Sequence, residues 1–490
     1  MTSNFKNILK HGRNYLIASV ATSALGFISI PIYTRLLTPK DYGVVSIFMG
    51  VVGLLGSVMS FSADRSVSRY FFDQKDDLDF RRFVGTSSIL AMSFFILNSI
   101  LLFVFAQDFG HVFGLSKNVV YLIIPISLIN IIGLTFEQIY GPLKKSKQIA
   151  ISSFLKGFLG FILSVFFIFI FKKDKFYGHI IGQIFAGLII IFFLIRLIKP
   201  YFKWSFDISY IKYIIIYSVP LIPYALSGVI IEQFGKVAIG GSQGMSEAGF
   251  YNLALSVSSI VSIVIAVTHQ AWNPYYFEYM NSKNYSQLDN DFVRIIKITI
   301  IVAFGVAAFG KEIGLILAKK EFSGSLYLIP VFTLGYVFYQ LSYAYLRNFA
   351  FSKSTHFMTL TVLFTGISNV VLNIILIKAY GELGAAVSFV LSYFLMFVSS
   401  WFVNTYFVKL HATSLKRLLF PLFLVIPFYV LLYIVIYIQS NFGAIILKAI
   451  SLSILILLLF WTDRKMIHLF SKNLLIKMFQ SKLKEDAIDS

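Results

Sequence analysis

Apolar residues along this chain gather in blocks of about twenty, separated by short polar elbows. A block of that length crosses a ~30 Å hydrocarbon core as one α-helix. About fourteen such blocks can be marked, near 15–34, 43–64, 83–106, 118–138, 149–171, 177–198, 213–234, 249–270, 293–318, 325–346, 356–377, 383–405, 417–438 and 443–461. A transmembrane barrel would instead need alternating strands of about ten residues, and these are missing from the pattern. The expected fold class is an all-α polytopic membrane protein.

One elbow carries structural information of its own. In Thr38-Pro39-Lys40-Asp41 the threonine suits a helix N-cap, the proline the first helical position, and the aspartate the return bond to the cap amide. Helix ends near a membrane interface need such partners because hydrocarbon supplies none. Later in the chain, Gly244 to Gly249 precedes another apolar block. Asp41-Tyr42-Gly43 and Glu247-Ala248-Gly249 then stand at equivalent places, the starts of helices 2 and 8. Together with the basic segment Lys199–Lys212, this divides the chain into a first six-helix lobe (1–205), a second (206–410), and two further helices with a basic cytoplasmic tail (411–490). Internal repeats of this kind are how many transporters build alternating access around a central site.

Composition sharpens the picture. Charged residues make up 13% of the 490, against about 25% in soluble domains. The formal charge of +20 would suggest nucleic acid in a soluble protein, but here topology accounts for it. With the amino terminus inside, roughly 29 Lys and Arg fall on the cytoplasmic side and roughly 12 outside, as the positive-inside rule requires; Lys172, Lys173 and Lys175 are the main exception. Both termini are expected in the cytoplasm. The run after Lys6, Lys10 and Arg13 is too long for a signal peptide and reads as a first span. The tail 463–490 suits an interfacial amphipathic helix. Cysteine is absent, so disulfides, thiolate metal sites and cysteine nucleophiles are excluded. No HxxH or HExxH occurs, and neither a metal nor a cofactor is expected.

The run IPIYTRLLTPKDYGVVSI, followed by ADRSVSRYFFD after helix 2, resembles the Wzx-type polysaccharide flippases of the MOP superfamily, which also holds lipid II flippases and MATE drug exporters. The resemblance implies two six-helix lobes around a central cavity, with two extra helices. It implies a flippase that moves undecaprenyl-pyrophosphate-linked oligosaccharide, for O-antigen or capsule, across the bacterial inner membrane. A polysaccharide polymerase and a chain-length regulator would be its partners.

Charges within spans face a cavity or a partner. The candidates near the inner side are Asp64, Arg65 and Arg69 after helix 2, Glu137 in helix 4, Lys156 in helix 5 and Arg347 in helix 10. A pyrophosphate needs several cationic donors at once, and Arg presents a fork that fits its oxygens, although cations near helix ends also snorkel to headgroups. On helix 10, Tyr336, Gln340, Tyr343 and Arg347 share one helical face, a stripe suited to a glycan path. Helix 11 offers Thr361, Thr365, Asn369 and Asn373. Both stripes also suit interhelical polar contact. Asp64, Glu137 and Glu232 are candidates for ion coupling, and Glu232 with Lys236 also fits an i,i+4 bridge. Gly178 and Gly182 form GxxxG, a packing motif. Gly305 to Glu312 matches GxxxxGK but lacks the Ser/Thr and the preceding strand of a P-loop, so no ATPase site is expected.

Three functions compete. A flippase for lipid-linked oligosaccharide leads. A MATE-like drug or lipid II exporter is the alternative of the same class, but a cation-biased interior favours an anionic substrate. A membrane glycosyltransferase or O-antigen polymerase would need a sizeable outer loop for its catalytic groups, and the outer loops are short.

Overall fold

The computed structural model describes residues 21–461 apart from 23, 220 and 438–441. The basic residues ahead of the first span, that span's first turns and the tail over 463–490 lie outside the described residues. Regular structure within them is helical. The long helices are α1 (Ala24–Leu36), α2 (Pro39–Met59), α3 (Asp77–Val104), α4 (Ile123–Tyr140), α5 (Ser146–Ile170) and α6 (Phe176–Ile198). They continue with α7 (Leu221–Ser242), α8 (Met245–Ser258, running on into Ile260–Asn281), α9 (Tyr285–Leu317) and α10 (Ile329–Phe351). Thr355–Val403 breaks at Gly381 into α11 and α12, and α13 (Leu415–Tyr437) and α14 (Phe442–Trp461) close the described chain.

Among the described residues ten helices are long and apolar enough to cross a membrane, or eleven when Ile208–Ser218 and Leu221–Ser242 count as one bent span. That count takes Thr355–Val403 as a single element and leaves out the shorter α1 and the apolar core of α14. With the break at Gly381 and these two included, each apolar block of the sequence has its helix. Gly381 makes the turn because its φ of 61° is left-handed. The two helices then return in close contact: a Cβ at Gly384 would lie 2.0 Å from the Leu376 carbonyl oxygen.

The elbow before α2 forms the expected capping box. The Asp41 amide donates to Thr38 Oγ1 at 3.1 Å, and the Thr38 amide donates to Asp41 Oδ2 at 3.3 Å. The corresponding turn before α8 is capped by Gly244 at φ 121°, without a side-chain bond. These two helix starts pack against each other. A Cβ on Gly43 would meet the Met245 carbonyl oxygen at 1.7 Å, and one on Gly249 would meet the Pro39 carbonyl oxygen at 2.4 Å. Glycine at both positions lets the backbones touch, and α2 and α8 are joined here. Short connecting segments brace the same end: Gly114 packs on Met245 and Gly240, and Phe322 packs edge-on against Tyr42.

Elsewhere the packing is tight within each lobe. Gly178 and Gly182 lie against the backbone of α5 at Ile168 and Ser164, so the GxxxG pair serves helix packing. The segment before α7 docks on the first lobe. Tyr210 and Tyr213 donate to Asp79 and Asp73 at 2.5 and 2.7 Å, and Ser218 Oγ donates to the Ser62 carbonyl at 3.0 Å. Residues 208–218 are thereby tied to the chain around Ser62, Asp73 and Asp79. Burial, with the neighbouring Asp79 carboxylate adding to it, pushes the Tyr70 phenol up from its ordinary value. The last two helices lie on the flank of α9. Phe304 packs on Phe428 and Tyr429, and Lys448 donates to Glu312 at 2.6 Å. The GxxxxGK stretch lies wholly inside α9, with no phosphate-binding loop.

Candidate functional site

Two cavities adjoin at Arg65, toward the end of the bundle opposite the capped elbow. The larger, ≈520 Å³, is bounded by α7, α10, α11 and α12 and includes Glu232, Tyr339, Tyr343 and Arg347. The smaller, ≈310 Å³, belongs mainly to α2, α4 and α5 and includes Asn130, Glu137, Ser153 and Lys156. Arg65, from the connection after α2, lines both. Three cations from three separate parts of the chain, Arg65, Lys156 and Arg347, thus line two cavities that share Arg65.

Each is held differently. Lys156 donates to Asn130 Oδ1 at 2.9 Å, which fixes its ammonium beside α4. The Arg347 guanidinium lies over the Tyr343 ring, 5.1 Å from its centre. The opposite partner of Tyr343 is His269 of α8, stacked at 3.5 Å between ring centres. A planar cation over an aromatic face keeps its donor edge free for an oxyanion. Glu137 lines the smaller cavity near Lys156, and Glu232 lines the larger.

Other candidates from the sequence sit outside the cavities. Arg69 is exposed and pairs with Asp73 at 3.2 Å, in the turn that follows its helix. Asp64 is buried and accepts from Ser60 Oγ at 3.0 Å. Tyr336 is buried against Phe389, and Gln340 is fully buried with no hydrogen-bond partner for its amide. The face of α10 that meets the cavity is Tyr339, Tyr343, Leu346, Arg347 and Ala350, which keeps Tyr343 and Arg347 of the expected stripe and leaves out Tyr336 and Gln340. Asn369 donates to Ser392 Oγ at 2.9 Å and Asn373 donates to the Asn369 carbonyl at 2.8 Å; both are buried in the α11–α12 hairpin. No ion pair joins Glu232 to Lys236 among the described residues, because Lys236 is turned toward Asn252 and packs on Gly50 of α2.

Sequence reading passed over Tyr224 and Tyr393, which line the larger cavity, and His269 behind Tyr343. Among 28 tyrosines no spacing marks these out; the i+4 run Tyr224, Gly228, Glu232 on α7 was the available signal. No group of three or more metal-ligating side chains occurs among the described residues.

The family model described as "Polysaccharide biosynthesis protein" matches residues 8–280, more than half of the chain. The chain belongs to that family. Protein 1 of the Lsg locus of Haemophilus influenzae is 24% identical over 288 residues, which cover 56% of this chain and 67% of the relative. In fold, the chain is similar to the lipid II flippase MurJ in an inward closed conformation, with a TM-score of 0.70 at 16% identity over 92% of this chain and 99% of that one. It is also similar to an inward-facing multidrug resistance MATE transporter of the MOP superfamily, with a TM-score of 0.66 at 12% identity over 80% and 98%. These overlaps show a shared fold, that of a polytopic all-α membrane protein. The family match and the fold agree with the Wzx-type resemblance of the first 75 residues.

Proposed function

We propose that this member of the polysaccharide biosynthesis family is a flippase for undecaprenyl-pyrophosphate-linked oligosaccharide in the bacterial inner membrane, working by alternating access between the lobes 1–205 and 206–410. The observation that carries the reading is the convergence of Arg65, Lys156 and Arg347 on adjoining cavities beside a wall of tyrosines. Cations at membrane depth are expensive and mark a pathway for charge. A diphosphate is the ligand that rewards three of them together, and tyrosine faces suit sugar rings. The positive-inside asymmetry assigns the Arg65 end to the cytoplasm, where a lipid-linked glycan is assembled. Substrate then enters from the cytoplasmic leaflet with its headgroup in the cavity and its chain in the lipid. Asn369 and Asn373 act as polar contact within the second lobe, and Asp64 as a brace for the turn after α2. A polymerase and a chain-length regulator take over on the far side.

The test is deletion of the gene in its host. Loss of surface polysaccharide, with lipid-linked repeat units retained on the cytoplasmic face, is the expected result. Normal polysaccharide together with new drug sensitivity would replace this reading with that of a drug exporter.

A further inference from the structure

The larger cavity contains one group that capture of a diphosphate does not use. Glu232 extends from α7 in line with Tyr224 and Gly228, at the deep end of the space whose other end holds Arg65 and Ala350. Its carboxylate makes no hydrogen bond and no ion pair among the described residues. The cation one turn away, Lys236, is 7% exposed and directed at Asn252 and Gly50. Tyr339 and Tyr343 of α10 and Tyr393 of α12 stand across the cavity from it. The carboxylate is exposed to the cavity, so both of its oxygens are open to a donor carried by the ligand.

We propose that Glu232 and the surrounding tyrosines form a receptor for sugar hydroxyls, so that the cavity is bipolar, with cations for the diphosphate at its mouth and a carboxylate for the glycan at its deep end. This rests on the flippase reading and adds the orientation of the substrate. A carboxylate has two acceptor oxygens and about four lone-pair sites, enough for two neighbouring hydroxyls of one ring. Tyrosine faces pack on the C–H face of the same ring. A free ammonium would also be drawn to a carboxylate among aromatic faces, but Arg65 and Arg347 line the same space and oppose a lone cation. A ligand with an anionic head and a neutral, donor-rich body satisfies both poles. The volume of ≈520 Å³ falls within the roughly 300–1,000 Å³ of small-molecule sites, so the cavity takes the headgroup end of the glycan while the remainder extends beyond it.

The experiment uses the full chain in lipid nanodiscs and three probes: inorganic pyrophosphate, lipid-linked glycan extracted from the deletion strain, and tetraphenylphosphonium. Glu232→Gln should bind the lipid-linked glycan about tenfold more weakly, the equivalent of about 1.4 kcal/mol. It should bind pyrophosphate as tightly as the wild type or more tightly, since a like charge has left the cavity. Glu232→Asp, which keeps the acceptor, should recover part of the glycan affinity. Equal glycan affinity in wild type and Glu232→Gln overturns the receptor. So does parallel weakening of both anionic probes, which would mean a collapsed cavity. Tetraphenylphosphonium binding that disappears in Glu232→Gln overturns it in favour of a cation site. A wild type that binds pyrophosphate but no lipid-linked glycan removes the flippase reading itself.

Discussion

Arg347 is the residue whose chemistry is most fully specified by its surroundings, resting on Tyr343, which in turn rests on His269. A charge-assisted hydrogen bond contributes about 1.5–3 kcal/mol, so Arg347→Ala should weaken inorganic pyrophosphate binding by about one to two decades in isothermal titration. Arg347→Lys should recover little, because a lysine neither stacks on the ring nor presents a fork. Arg69→Ala should bind normally, since that side chain is spent on an exposed pair with Asp73. The cations were legible in the sequence because a charge inside an apolar block stands out whatever its helix phase. The aromatic wall was legible only at Tyr343. The expected stripe and the cavity face share Tyr343 and Arg347 and differ by roughly 50° in direction, enough to put Tyr339 at the cavity in place of Tyr336 and Gln340, and tyrosine is too frequent here for composition to correct it. Tyr393 and His269 join the site through folding of distant helices, which no local spacing reveals.

At the scale of elements, bilayer thickness makes spans easy to recognise, and the capping box at Thr38–Asp41 fixed the start of α2 from four residues. The repeat of that elbow at Gly244–Gly249 was visible as a similarity of position. Its packing was not, because contact between α2 and α8 is a property of two chains of residues about 200 apart. The glycine contact makes a specific prediction. Gly43→Leu places side-chain atoms where the Met245 carbonyl lies, so α2 and α8 must separate. Ala248 is fully buried beside this contact. A cysteine at Ala248 should resist a membrane-impermeant maleimide in the otherwise unchanged, cysteine-free chain and react readily when Gly43→Leu is added, at matched expression on a blot. The segment Ile208–Ser218 shows the opposite limit of sequence reading. The basic stretch Lys199–Lys212 that runs into it signalled a boundary, while its tyrosines bind it to Asp73 and Asp79.

For the whole molecule, charge asymmetry predicts an orientation, and the fold supplies two exposed positions at opposite ends to test it. Ser116 lies near the capped elbow and Lys147 at the start of α5, on the Arg65 side. Ser116→Cys should be labelled in intact cells, and Lys147→Cys after permeabilisation; the reverse order would invert the protein in the membrane. In the observed arrangement the cavities lie at the Arg65 end of α2, and at its other end Gly43 and Gly249 bring backbone against backbone. A wet chamber lined by arginine, lysine and glutamate is a ready conduit for protons and salt, and this glycine seam is what separates it from the far side. The tightness of the seam therefore sets the leak of the resting protein, and with it the number of copies a cell can keep in its membrane before its ion gradient begins to drain.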